Sequence, residues 1–156
     1  MTDFRIAHLT LDESSVVTRI PAIEQEREVA ISDLLEQNFF RLRDSPAGPY
    51  DLTLSVEEGR LVLDVSLSGG TPHGKVILSL TPLRGVIKDY FLVCDSYYKA
   101  IRTAPPSQIE SLDMGRRALH DEGAQLLRAR LEGKIETDFD TARRLFTLIC
   151  ALHWRG

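Results

Sequence analysis

The sequence is poor in cysteine, with two in 156 residues, Cys94 and Cys150. Each lies in an apolar stretch with helical spacing. Small disulfide-stabilised domains are rich in cysteine, so we expect two buried free thiols rather than a disulfide. This cysteine usage is typical of a cytoplasmic protein.

Segments that would place the chain in or across a membrane are also missing. There is no apolar run of about 18 residues, the length that a membrane-spanning helix requires. The first residues, MTDFRIAHLTLDESS, do not combine a basic start with an apolar stretch, so no secretory signal is visible. We therefore expect a cytoplasmic protein that does not contact a membrane.

The chain has no excess of positive charge. It carries 19 Lys and Arg against 23 Asp and Glu, a formal net charge of −4. The pairs Arg116-Arg117 and Arg143-Arg144 have acidic residues nearby, whereas nucleic-acid binders usually present a contiguous basic face. Nucleic acid is therefore an unlikely partner by composition.

What the chain does contain is enough apolar sequence for one core. Hydrophobic residues make up 43% and charged residues 27% of the sequence, as in ordinary globular proteins. This length favours one domain over two. We predict a single domain over residues 1–156, in which residues 1–80 are mostly strands plus one helix and residues 81–156 form a helical half.

The first half is dominated by strand-like alternation. Residues 4–11 predict a strand that could continue over residues 16–20, and Pro21 opens a helix predicted to end near Asn38. Residues 41–50 are predicted to form a loop, because they contain two prolines and a glycine.

Three later stretches, residues 52–56, 61–67 and 75–80, alternate apolar and polar side chains. The first two are joined by a short turn containing Gly59, and the last two by a looser loop over residues 69–74. This pattern predicts an antiparallel meander with one apolar face, which needs a cover. We therefore predict an α+β fold, with a meander of three to four strands and an early helix, covered by three C-terminal helices.

The helical half begins with residues 81–133, which predict two long helices separated by Pro105-Pro106. The predicted helix starts are Thr81-Pro82, Ser107 with Glu110, and, for the last helix, Thr137 with Asp140. Gly115 and Gly123 lie inside the second helix, where glycine lowers helix stability. They predict the close approach of another backbone, or a kink near Gly123.

One group of ionisable residues in this half suggests chemistry. It lies on one side of the second helix and is completed by two arginines of the last helix: Asp113, Arg116, Arg117, His120, Arg143 and Arg144. As an enzyme site, His120 would be a general base, and the arginines would hold an anionic ligand. The alternative is a structural ion-pair network within the helix, joining Asp113 to Arg117 and Arg117 to Asp121.

No known catalytic motif accompanies this group. GxSxG, HExxH, P-loop and kinase signatures are all absent from the sequence. Catalytic residues are therefore unassigned, and the sequence predicts no cofactor and no metal site.

Four segments together resemble one protein family: KDYF (88–91), CDSYYKAIRTA (94–104), DMGRRALHDEG (113–123) and DFDTARRLFTLIC (138–150). The family is bacterial, mainly alphaproteobacterial, uncharacterised and of unknown function. The resemblance extends over the whole chain, from IPAIEQERE (20–28) to LHW (152–154). It implies a cytoplasmic bacterial protein and supplies no activity, cofactor or partner.

Three functions therefore stay open. The leading one is a binding or regulatory protein that acts through its helical half, with a protein partner or a homodimer covering part of its apolar helices. The first alternative is an enzyme or a small-anion-binding protein with a site around Asp113, Arg116, Arg117 and His120. The second alternative is nucleic-acid binding.

Overall fold

Four helices and two small sheets make up the fold in the computed structural model, which describes residues 3–13, 21–44, 47–67 and 70–153. The main sheet contains β1 (Ile6–Leu11), β3 (Tyr50–Glu57), β4 (Arg60–Leu67) and β5 (Thr71–Ser79), in that order. A two-stranded ribbon pairs β2 (Phe40–Leu42) with β6 (Ile135–Thr137). The helices are α1 (Pro21–Glu36), α2 (Arg84–Thr103), α3 (Pro106–Leu131) and α4 (Phe139–His153). The α+β class is thus confirmed.

The meander is confirmed for β3, β4 and β5, which pair antiparallel. The turn between β3 and β4 uses positive φ at both Glu58 and Gly59, as a two-residue hairpin turn of type I′ requires. β1 differs from the rest because it pairs parallel with β3. A parallel pair needs a long crossover, and α1 with β2 supplies one between these strands.

β5 starts earlier than predicted. It begins at Thr71 rather than at Lys75, so the loop predicted over residues 69–74 is mostly strand. Pro72 is compatible with this because β5 is an edge strand, where a missing N–H breaks no ladder. Residues 68 and 69, and the predicted strand continuation over residues 16–20, lie outside the described residues.

The ribbon was not predicted from the sequence. β2 falls partly inside the segment predicted as a loop, and both strands of the ribbon, β2 and β6, have only three residues. Strands this short show too little alternation to be recognised. Phe40, Leu42, Ile135 and Thr137 are buried, so one face of the ribbon belongs to the core.

The predicted helix starts need correction. Residues Thr81–Leu83 form a 3₁₀ turn, and α2 begins at Arg84 without a side-chain cap. α3 begins at Pro106 after an extended Pro105, so Ser107 lies inside its first turn. In α4 the cap is Asp138, whose Oδ1 accepts a hydrogen bond from the Thr141 N–H at 2.8 Å. Thr137 cannot cap this helix because it belongs to β6.

α4 is the central helix. It packs against α1, α3 and β3, and its residues 145–150 are all buried. The two cysteines are free thiols inside this core, Cys94 on α2 and Cys150 on α4, which confirms that prediction. Among the helices of the described segments, none combines the length and apolar content needed to cross a bilayer.

Gly123 has a packing role that differs from the predicted one. α3 runs unbroken through it, and the group that approaches it is the Phe146 ring of α4 rather than a backbone. A Cβ at this position would lie well inside van der Waals contact with that ring. The absence of a side chain at Gly123 therefore sets how closely α3 and α4 pack.

We predict that Gly123→Ala lowers the free energy of unfolding by about 2 kcal/mol, because it overpacks a rigid interface. Gly115→Ala is the matched control, since its Cβ would meet only Val93 at 3.6 Å. The control should gain up to about 1 kcal/mol in helix propensity. Urea denaturation of both variants tests this. Equal stabilisation by the two substitutions would show that Gly123 is not a close contact.

Candidate functional site

A buried carboxylate on α1 joins the predicted site to the rest of the fold. Glu26 is only 8% exposed. Its Oε1 accepts hydrogen bonds from Arg116 Nη1 at 2.8 Å and from the Tyr98 hydroxyl at 3.2 Å. Arg116 also binds Asp113, with Nη2 2.6 Å from Oδ1, and its guanidinium lies 4.8 Å from the Tyr97 ring centroid. We call these five residues the Glu26 cluster.

Arg116 is held in its charged form by this cluster. Burial lowers the pKa of its guanidinium, but the hydrogen bond to Asp113 and the charge of Glu26 outweigh burial and raise that pKa above its ordinary value. The pair joins α1 to α3 across 90 residues of chain. Breaking such a pair is costly, because the remaining charge is left partly buried without a partner.

Ion pairs of this region join different helices, whereas the structural network predicted from the sequence lay within α3 alone. Asp113 does contact Arg117, with 3.3 Å between Oδ2 and Nε, but Arg117 is 59% exposed. In the described segments Asp121 has no ion pair with Arg117, and it lies instead 3.1 Å from Nε of Arg143 on α4. That contact lacks hydrogen-bond geometry. The predicted intrahelical network is therefore half correct.

His120 lies at the contact between α3 and α4. Its Nε2 is 2.8 Å from the Arg143 carbonyl oxygen and 2.7 Å from the Thr147 hydroxyl. Its ring packs 5.3 Å from the Tyr90 ring. A carbonyl can only accept, so the neutral ring carries its proton on Nε2 and a free lone pair on Nδ1. Burial lowers the pKa of His120 to about 4, although the Arg143 carbonyl opposes this shift.

Four other groups near His120 also have shifted pKa values, and each is held in one protonation state. Burial raises the pKa of Cys94 to about 12, and it raises the pKa values of Cys150, Tyr90 and Tyr98 above their ordinary range. Each shift moves the pKa away from 7. A thiol of raised pKa is a poor nucleophile, and an efficient general acid or base needs a pKa near the working pH.

Two small adjoining cavities open between α1 and α4, and we call them together the α1–α4 cleft. The first, about 120 Å³, is lined by residues that include Glu26, His120, Arg143 and Thr147. The second, about 230 Å³, is lined mainly by carboxylates of α1 and of the start of α4. Three residues line both cavities: Asp33, Asp140 and Arg144.

The structure brings half of the predicted site residues to this cleft. His120, Arg143 and Arg144 line it, and Arg116 contributes indirectly by holding Glu26 in its wall. Asp113 and Arg117 do not line it. In the described segments, no group of three or more His, Cys, Asp or Glu side chains is placed to hold a metal ion.

Sequence reasoning missed the acidic side of the cleft. Glu26 lies one helical turn from Ala22 and from Ala30, and both are buried. A carboxylate on the apolar face of a helix was thus a usable signal of a buried partner. Asp33 gave no such signal. A larger cavity of about 840 Å³ beside the ribbon was also missed, because the ribbon itself was not predicted.

Comparison with known proteins places the chain in a family. Residues 3–155 match the model of the uncharacterised protein family UPF0262. A UPF0262 protein of Caulobacter vibrioides is 60% identical over 152 residues, covering 97% of this chain and 94% of that protein. The Phenylobacterium zucineum relative is 58% identical over the same shares of the two chains.

A Brucella canis relative is 57% identical over 153 residues, covering 97% of this chain and 95% of its own. No solved structure matches. The chain belongs to the UPF0262 family, which confirms the resemblance drawn from its motifs.

The His120 environment predicts a loss of stability in acid. The pKa falls from 6.5 to about 4 on folding, so the unfolded chain binds this proton more readily than the folded one. The contribution is fully present above pH 6.5 and is lost as the pH falls towards 4. At about 1.4 kcal/mol per pH unit, the loss approaches about 3 kcal/mol.

Urea denaturation between pH 7 and pH 4 measures this loss, with His120→Gln as the comparison. The variant should lose less stability than the wild type over this range. Parallel curves for the two proteins would contradict the assigned burial of a neutral imidazole.

Proposed function

We propose that this UPF0262 protein binds a small ligand in the α1–α4 cleft, where its helical half meets the early helix α1. The supporting observation is Arg144, a half-buried arginine that makes no ion pair with any described residue. It shares both cavities with Asp33 and Asp140, yet neither carboxylate lies within ion-pairing distance of it. Asp140 makes a long ion pair with Arg143, with 3.9 Å between its Oδ1 and Nη1. Arg144 and Asp33 therefore supply one charge of each sign that has no ion-pair partner among the described residues.

The charges and the volumes indicate the kind of ligand. Arg144 suits a carboxylate, because a guanidinium can donate two parallel hydrogen bonds to it. Asp33 and Asp140 suit a cationic group such as an amine. Cavities of about 120 and 230 Å³ are smaller than the roughly 300–1,000 Å³ typical of drug-sized ligands. We infer a ligand of amino-acid size that carries a carboxylate and an amine.

The remaining predicted residues would support this site. His120 and Arg143 form the wall of the cleft where α3 meets α4, and the hydrogen bond from His120 Nε2 to the Arg143 carbonyl oxygen holds them together. Arg116, fixed by Asp113, holds Glu26 on the α1 side. Arg117 lies outside the cleft and is mostly exposed, so its part in the proposed site is the weakest.

Binding is favoured over catalysis because of the protonation states in this region. His120, with a pKa lowered to about 4, is neutral at pH 7 but too weak a base for efficient proton abstraction. Cys94, with a pKa raised to about 12, stays a thiol. His120 and Cys94 are thus held in fixed protonation states, which suits recognition better than proton transfer.

We further propose a cytoplasmic location and a regulatory role that depends on ligand occupancy. The support for the location is the pair of buried, unpaired cysteines, which a reducing compartment preserves. Three large apolar side chains of α2 and α3, those of Leu92, Ile101 and Met114, are 45–59% exposed. They would be available to a protein partner or to a second copy of the chain.

Thermal unfolding with each of the twenty standard amino acids, and with acetate and methylamine, tests the proposed site. At least one amino acid should raise the melting temperature, and acetate or methylamine alone should raise it less. A ligand at 100 times its dissociation constant adds about 2.7 kcal/mol, which amounts to roughly 5–10 °C for a chain of this size.

Arg144→Gln should abolish the shift, since the carboxylate loses its partner. Arg102→Gln is the matched control, because Arg102 is exposed and lies on α2 away from the cleft. A wild-type protein indifferent to every probe, or an Arg144→Gln variant that responds fully, would contradict the proposal.

A further inference from the structure

A second cavity, separate from the α1–α4 cleft, opens beside the ribbon. It has a volume of about 840 Å³ and shares no lining residue with the cleft. Its walls are β2, β6 and the C-terminal end of α3. We call it the ribbon cavity. Its volume falls in the range of about 300–1,000 Å³ that is typical of small-molecule sites.

The ribbon directs cations into this cavity. Along β2 and the residue that follows it, the buried Phe40 and Leu42 alternate with the exposed Arg41 and Arg43. The Arg43 N–H donates to the Lys134 carbonyl at 2.9 Å and so extends the ribbon by one pair. Because side chains at alternate strand positions share a face, Arg41 and Arg43 lie together on the open face.

Four cations line the ribbon cavity: Arg41, Arg43, Lys134 and, from the last turn of α3, Arg128. None of them forms an ion pair with a described residue. The guanidinium of Arg41 lies 4.9 Å from the Phe4 ring centroid, which restricts its position. Arg43 Nη1 makes one long contact, 3.4 Å, with the Gly133 carbonyl. The four cations thus lie around one cavity without a direct ion-pair partner among the described residues.

The end of α3 places a partial negative charge near this cavity, which would disfavour an anion. That charge is offset locally. The Leu131 carbonyl accepts a hydrogen bond from the Lys134 N–H at 2.9 Å, and Arg128 and Arg130 lie in the last turn. Asp44, Glu132 and Glu136 also line the cavity, so its formal balance is four positive charges against three negative ones.

We infer that the ribbon cavity binds a phosphorylated small molecule of nucleotide size. The arginines can each donate paired hydrogen bonds to phosphate oxygens. The carboxylates can accept hydrogen bonds from hydroxyl or amino groups of the uncharged part of the ligand. This site is independent of the cleft proposed for the smaller zwitterion, because the two share no residues.

Isothermal titration calorimetry with ADP, pyrophosphate, adenosine and a single-stranded RNA of ten nucleotides tests this inference. ADP and pyrophosphate should bind, and adenosine should bind at least tenfold more weakly than ADP. Arg43→Gln and Arg128→Gln should each weaken ADP binding by about tenfold or more, as expected for the loss of a charged hydrogen bond. Lys134→Gln should weaken it less, because lysine offers no paired donors.

Arg102→Gln is the control and should leave ADP binding unchanged, because Arg102 is exposed on α2 and does not line the ribbon cavity. Far-ultraviolet circular dichroism checks that each variant folds, which is expected because the substituted side chains lie on the surface. The inference is overturned if neither ADP nor pyrophosphate binds, if adenosine binds as well as ADP, or if RNA binds far more tightly than either. Equal ADP affinity in wild type and both arginine variants would also overturn it.

Discussion

The ion pair between Glu26 and Arg116 is the interaction on which the helical arrangement depends. Glu26 is the one charged residue that is buried in the described part of the chain. Burying a carboxylate costs several kcal/mol unless charge and hydrogen bonds compensate. Here Arg116 and the Tyr98 hydroxyl supply both. Since the pair spans α1 and α3, it fixes the early helix against the helical half and sets one wall of the α1–α4 cleft.

The parts of the fold that the sequence predicted are those governed by local patterns. Period-two alternation located β3 and β4, and the double proline separated α2 from α3. The parallel pairing of β1 depends on a crossover, and the three-residue strands of the ribbon depend on partners about 95 residues apart. Neither has a local signal. Gly123 illustrates the same limit, because its residue type indicated a close contact but could not identify Phe146.

The residues of the candidate site were likewise predictable only where local spacing along the chain groups them. Helical spacing correctly grouped Asp113 with Arg116 and Arg117, because residues three and four apart are neighbours on a helix. It could not supply Glu26 or Asp33, which come from α1, and it gave no sign that Thr147 would meet His120. The acidic wall of the cleft turns a predicted anion site into one with charges of both signs. The ribbon cavity required tertiary structure altogether.

A double-mutant cycle on Glu26 and Arg116 tests the central claim most directly. Free energies of unfolding of Glu26→Gln, Arg116→Met and the double variant, measured by urea denaturation, give their coupling energy. A pair that fixes α1 against α3 should have a coupling energy of about 2 kcal/mol or more. The losses of stability in the two single variants should then add up to more than the loss in the double variant. A coupling energy below about 0.5 kcal/mol, as for an exposed surface pair, would contradict this account.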